Sequence, residues 1–77
     1  MGHLTVESIN AQLRAEIAVA YPSTKDFATA AGLSYDALLR YLKGDVSMPM
    51  PVFAQVLNAL GIDAQAFFAR VRERSGE

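Results

Sequence analysis

Asp36, Leu39, Arg40 and Lys43 stand three, one and three positions apart. At about 100° per residue they share one side of a helix, and Tyr35 stands at its boundary. A carboxylate accepts hydrogen bonds, a guanidinium donates through a planar fork, and an ammonium donates as a point charge. A phenol does both, and a leucine offers methyl groups. Such a set suits recognition of a partner through hydrogen bonds and apolar contact. The chain has one histidine, His3, and no cysteine. No serine or threonine therefore has a histidine base at a suitable position, and neither a thiolate nor a histidine metal site can be assembled. Asp26, Asp36, Asp45 and Asp63 fall at helix starts or in loops, where capping accounts for most of them. The expectation is a protein that is not an enzyme, with no metal, no cofactor and no evident small-molecule ligand.

The elements that must position these residues are all helical. No strand alternation persists, whereas helical spacing appears five times. Ile9, Leu13, Ile17 and Tyr21, with Val6 and Ala20 beside them, form the stripe of a first helix from about Val6 to Ala20. Pro22 ends it. Ser23 to Asp26 resembles a capping box, and Pro22 and Phe27 occupy the positions of a hydrophobic staple. Phe27, Ala28 and Ala31 give the inner face of this second helix, and Gly32 follows at the place of a left-handed helix end. Ser34 caps a third helix that runs to about Lys43 and stops at Gly44. Leu38, Tyr41 and Leu42 are expected to pack it on the second and fourth helices. Met50-Pro51 opens the fourth helix, whose apolar face is Phe53, Val56, Leu57 and Leu60. Asp63 can cap a fifth, with Ala64, Phe67, Phe68 and Val71 on its stripe. Arg70, Arg72 and Arg74 suit the negative pole of that helix. Met48 and Met50 are expected to cover the intervening loop against the core.

Composition limits the class. The 77 residues are 52% hydrophobic and 19% charged, which reads as one globular domain with a core from about residue 6 to 72 and loose termini. A chain of this size buries only roughly 60% of its unfolded surface. The lack of disulfides fits a reducing cytoplasm. No apolar run approaches the ~20 residues of a membrane span, and the first residues lack the pattern of a signal peptide. The net charge of −1 argues against binding polyanions through bulk charge, though not against a local basic surface.

Two short helices joined by the three-residue turn Gly32-Leu33-Ser34 make a helix-turn-helix. In that geometry the second of them stands out and can enter the major groove of DNA. Arg40 can pair with guanine O6 and N7, Leu39 can touch a thymine methyl, and Asp36 can accept from cytosine N4. Lys43 suits a phosphate. The free N–H groups at the start of the second helix, with the Thr24 hydroxyl, suit another. At this level Asp36 either reads a base or pairs with Arg40, and Tyr35 either reads or packs over the turn.

The chain resembles the lambda-repressor-like helix-turn-helix family, of the Cro and phage-repressor type. The residues that carry the resemblance are Ala28, Gly32-Leu33-Ser34, Leu38, Tyr41, Gly44 and Ala59-Leu60-Gly61, without a gap, within a span from Ser8 to Val71. The resemblance implies an all-α, compact five-helix fold with the helix-turn-helix in helices 2 and 3. It also implies a transcriptional regulator, a repressor above all, in a bacterial cell or a phage-infected host. Its partner would be a palindromic double-stranded DNA operator, bound by a homodimer. The contact positions it implies are Thr24, where the family often has glutamine, Lys25, Ser34, Tyr35, Asp36, Leu39, Arg40 and Lys43. A dimer interface is expected at Phe67, Phe68 and Val71, because adjacent aromatics on one helix leave one partly exposed. The other reading is a protein-interaction module, or an antitoxin, that keeps the fold with DNA binding secondary or lost.

Overall fold

The computed structural model describes residues 4–74, which form five helices and no strand. They are α1 (Val6–Ala20), α2 (Thr24–Ala31), α3 (Tyr35–Lys43), α4 (Met50–Leu60) and α5 (Ala64–Arg74). His3 and the Ser75-Gly76-Glu77 tail lie outside the described residues. No single helix among the described residues is long and apolar enough to cross a membrane.

Each start has a local cause. Thr5 and Ser8 form a reciprocal capping box at α1, each hydroxyl accepting from the other's backbone N–H at 3.0 Å. Ser23 Oγ accepts from the Asp26 N–H at 3.1 Å, but no bond returns from Asp26. The expected capping box at α2 is therefore only half present, because the Asp side chain is one methylene shorter than Glu. The staple also differs from expectation. Pro22 is exposed, and the ring of Tyr21 packs edge-on against Phe27 at 5.1 Å. Asp63 Oδ1 caps α5 through the Ala66 N–H at 2.8 Å.

The stops share one design. Gly32, Gly44 and Gly61 all have positive φ, at 72°, 83° and 72°. After each, two N–H groups reach back over the helix end. At α2, Leu33 N–H bonds the Ala28 carbonyl at 2.8 Å and Gly32 N–H bonds that of Thr29 at 3.2 Å. At α3, Asp45 bonds Arg40 at 3.0 Å and Gly44 bonds Tyr41 at 3.1 Å. At α4, Ile62 bonds Leu57 and Gly61 bonds Asn58, both at 3.1 Å. This is the Schellman arrangement, which needs a left-handed residue at the reversal.

α1 packs against every other helix, while α2 also holds α3 and α4. The core is Leu13 and Ile17 of α1, Phe27 and Ala28, Leu38 and Leu42, Val56 and Leu57, and Phe67 and Val71. Each large side chain here contributes roughly 1.5–3 kcal/mol by leaving water. Phe53 meets Phe67 edge-on at 5.7 Å and lies tilted over Phe68 at 5.9 Å, which ties α4 to α5. The inner side of α3 rests mainly on α1 and α2, not on α2 and α4 as its pattern suggested. Phe67 and Val71 are fully buried, so the expected dimer interface is corrected there: these two side chains are core, and Phe68 alone of the three is half-exposed.

A Cβ at Gly61 would meet nothing within 4 Å, so substitution there tests backbone strain alone. Gly61→Ala is expected to cost about 1–2 kcal/mol, and Gly61→Asn less, because Asn visits the left-handed region more readily. Thermal melts should rank wild type above Asn above Ala. An alanine variant as stable as wild type would contradict the conformation of that turn.

Candidate nucleic-acid interface

α3 is nine residues long and has two sides. Leu38 and Leu42 are 0% and 3% exposed. On the other side Tyr35, Asp36, Arg40 and Lys43 are all exposed, and Leu39 is half-buried because it flanks the core-facing Leu42. The five span a sector of about 140° at the helical pitch. Ser34 Oγ accepts from the Ala37 N–H at 3.3 Å, so the hydroxyl of this expected contact residue is engaged in starting the helix.

Among the described residues, no ion pair joins Asp36 to Arg40 or engages Lys43. The i, i+4 pair that the spacing allows is not formed. Arg40 and Lys43 keep their donors in solvent, and α3 presents two cations against one acid. Lys25 adds a further exposed cation at the start of α2, and Thr24 beside it is half-buried. Because Ser23 takes only the Asp26 N–H, the first-turn N–H groups of Thr24 and Lys25 lack an intrahelical acceptor. The expected contact residues thus fall on two neighbouring elements: the outer side of α3 and the first turn of α2.

Two further side chains hold these elements in place, and the hydrophobic pattern gave no sign of either. The Schellman bonds leave the carbonyls of Ala31 and Leu42 unsatisfied by their own helices. Gln55 Nε2 of α4 donates to Ala31 O at 2.7 Å. Arg14 Nη1 of α1 donates to the Leu42 carbonyl. The ends of α2 and α3 are therefore pinned by polar bonds from helices far away in sequence. A third tie is Arg70, expected only to complement the helix pole. It donates to Glu16 Oε1 at 2.8 Å, while Gln12 Nε2 donates to Glu16 Oε2 at 2.7 Å, and this joins α5 to α1. Arg72 and Arg74 remain in the last turn of α5 as the pattern indicated. A polar residue at one position of an amphipathic helix does not reveal which distant carbonyl it meets, which is why the sequence did not expose these bonds.

No protein-family model, curated protein or solved structure matches the chain.

Arg14→Ala should leave the Leu42 carbonyl without its donor and cost about 0.5–1.5 kcal/mol. Arg14→Met, which keeps the apolar stem, should lose nearly as much. Amide exchange, read residue by residue, should quicken in the last turn of α3 before it quickens in α2. Uniform quickening across all five helices would show that the bond has no local role.

Proposed function

We propose that this protein is a sequence-specific double-stranded DNA-binding regulator, with α2 and α3 acting as a helix-turn-helix of the lambda-repressor-like kind. The reading rests on one observation above the others: the outer side of α3 carries exposed Arg40 and Lys43 with no acid paired to either. Unpaired cations on a helix held firmly from beneath are available to an anionic partner without first breaking a bond.

In this reading α3 lies in the major groove. Arg40 donates both arms of its fork to guanine O6 and N7, the commonest specific contact. Asp36, free of Arg40, accepts from a cytosine amine, and Leu39 meets a thymine methyl. Tyr35 stands at the N-terminal tip, where its hydroxyl reaches a base or the adjoining sugar. Lys43 and Lys25 contact phosphates, and the first turn of α2 with Thr24 holds another. Ser34 acts by starting the helix. A chain with net charge −1 gains little from bulk attraction, so two copies on a two-fold operator, one helical turn apart, supply enough phosphate contacts. Binding as a repressor follows from occupancy of such a site.

Arg40→Ala should cost roughly 1–3 kcal/mol at a specific site and relax one base position. Lys43→Ala should weaken all sequences alike and reduce the slope of log affinity against log salt by about one. Fluorescence anisotropy on matched and mutated duplexes over a salt series separates the two effects. A double variant that binds its site as tightly as wild type contradicts the assignment.

A further inference from the structure

An open groove of about 240 Å³ lies on α1, crossed by the 44–49 loop and bounded by α3, α4 and α5. Leu13, Tyr41, Met48, Phe53 and Phe68 line it, together with Asn10. Three expectations fail here. Val6, expected on the inner stripe of α1, is 69% exposed at the rim, and Met50, expected to cover the loop, is 72% exposed. Tyr41 is turned toward this groove and is half-buried, not packed against α4 within the core.

Asn10 is the unusual member. The residue is 7% exposed, and its carboxamide makes no side-chain hydrogen bond among the described residues. Yet among the described residues no buried side-chain nitrogen or oxygen is sealed away without a partner. The polar end of Asn10 therefore reaches the open space of the groove while its stem is enclosed. A ligand that displaces water from this amide must bond to it in turn, because the amide would otherwise be left unsatisfied in apolar surroundings. No groove-lining residue carries a formal charge, so an ion entering would lose its hydration without compensation.

We infer that this groove is a binding site for an uncharged small molecule with an apolar body and an amide or carbonyl head. The body fills the space between Leu13, Phe53 and Phe68, and the head bonds to the Asn10 carboxamide, which both donates and accepts. The site meets α3 through Tyr41, about 100° around the helix from Arg40, and stands independently of any role in DNA binding. Asn10 Nδ2 lies 3.9 Å from the position a Cβ would take at Gly44, so the polar end of the groove adjoins the stop of α3.

The test uses octanamide as the probe and octanoate as its charged counterpart, followed by ¹H–¹⁵N spectra of the full chain. Octanamide is expected to give saturable shifts confined to Asn10, Tyr41, Met48, Phe53 and Phe68, with octanoate at least on the order of tenfold weaker. Asn10→Leu should weaken octanamide on the order of tenfold. Val6→Trp, a change at an exposed rim position that leaves the core alone, should block it; this variant decides the matter if Asn10→Leu fails to fold. Shifts that do not saturate, equal binding of octanoate, or unaltered affinity in the variants would overturn the inference. So would groove resonances that move with protein concentration alone, with a dimer seen by sedimentation, since a second copy would then be the occupant.

Discussion

Everything in this molecule rests on one side of α1. Leu13 and Ile17 are 0% and 2% exposed, and every other helix packs against the helix that carries them. A chain of this length buries a smaller share of its surface than a longer one, and here a single central helix serves four neighbours. The same helix also takes part in two of the three polar ties. Arg14 fixes the end of α3, and Glu16, held by Gln12, fixes α5 through Arg70. Apolar burial provides the driving force and these bonds set orientation, because burial alone has no direction.

The consequence for α3 is a division between its two sides. A nine-residue helix is marginal in water by itself and takes its stability from packing. Leu38 and Leu42 provide that packing, which leaves Tyr35, Asp36, Arg40 and Lys43 exposed outside the core. Schellman turns at Gly32 and Gly44 bracket the supporting and presented segments, and one carbonyl that each turn leaves over is taken by Gln55 or Arg14. The proposed reading surface is thus rigid in its backbone and unencumbered in its side chains. That combination spares backbone ordering on binding and leaves only the side chains of Arg40 and Lys43 to be ordered.

The helix boundaries were legible in the sequence because their causes are local. Ser23, Ser34 and Asp63 cap as their types suggest, and Gly32, Gly44 and Gly61 stop their helices with positive φ. The polar side of α3 was legible for the same reason, since the 3.6-residue period separates the two sides of this nine-residue helix. What was not legible depends on which helix lies against which. Periodicity placed Tyr41 inward but could not say that inward meant a groove beside α1. It placed Phe67, Phe68 and Val71 on one stripe but could not say that the stripe was wide enough to bury two of them. The spacing of Asp36 and Arg40 permits an ion pair, yet an exposed pair gains too little to fix two mobile side chains. Asn10 and Gln12, both buried on α1, gave no sign in a pattern that counts polar residues as outward.

The central claim is that the outer side of α3 reads duplex DNA. Selection from a random pool of double-stranded DNA, carried through several rounds at low and then moderate salt, tests it most directly. The account predicts enrichment of a two-fold symmetric motif with half-sites about one helical turn apart, including a guanine whose preference disappears in the Arg40→Ala protein. A pool that stays random at low salt, or a motif that Arg40→Ala leaves unchanged, would contradict it.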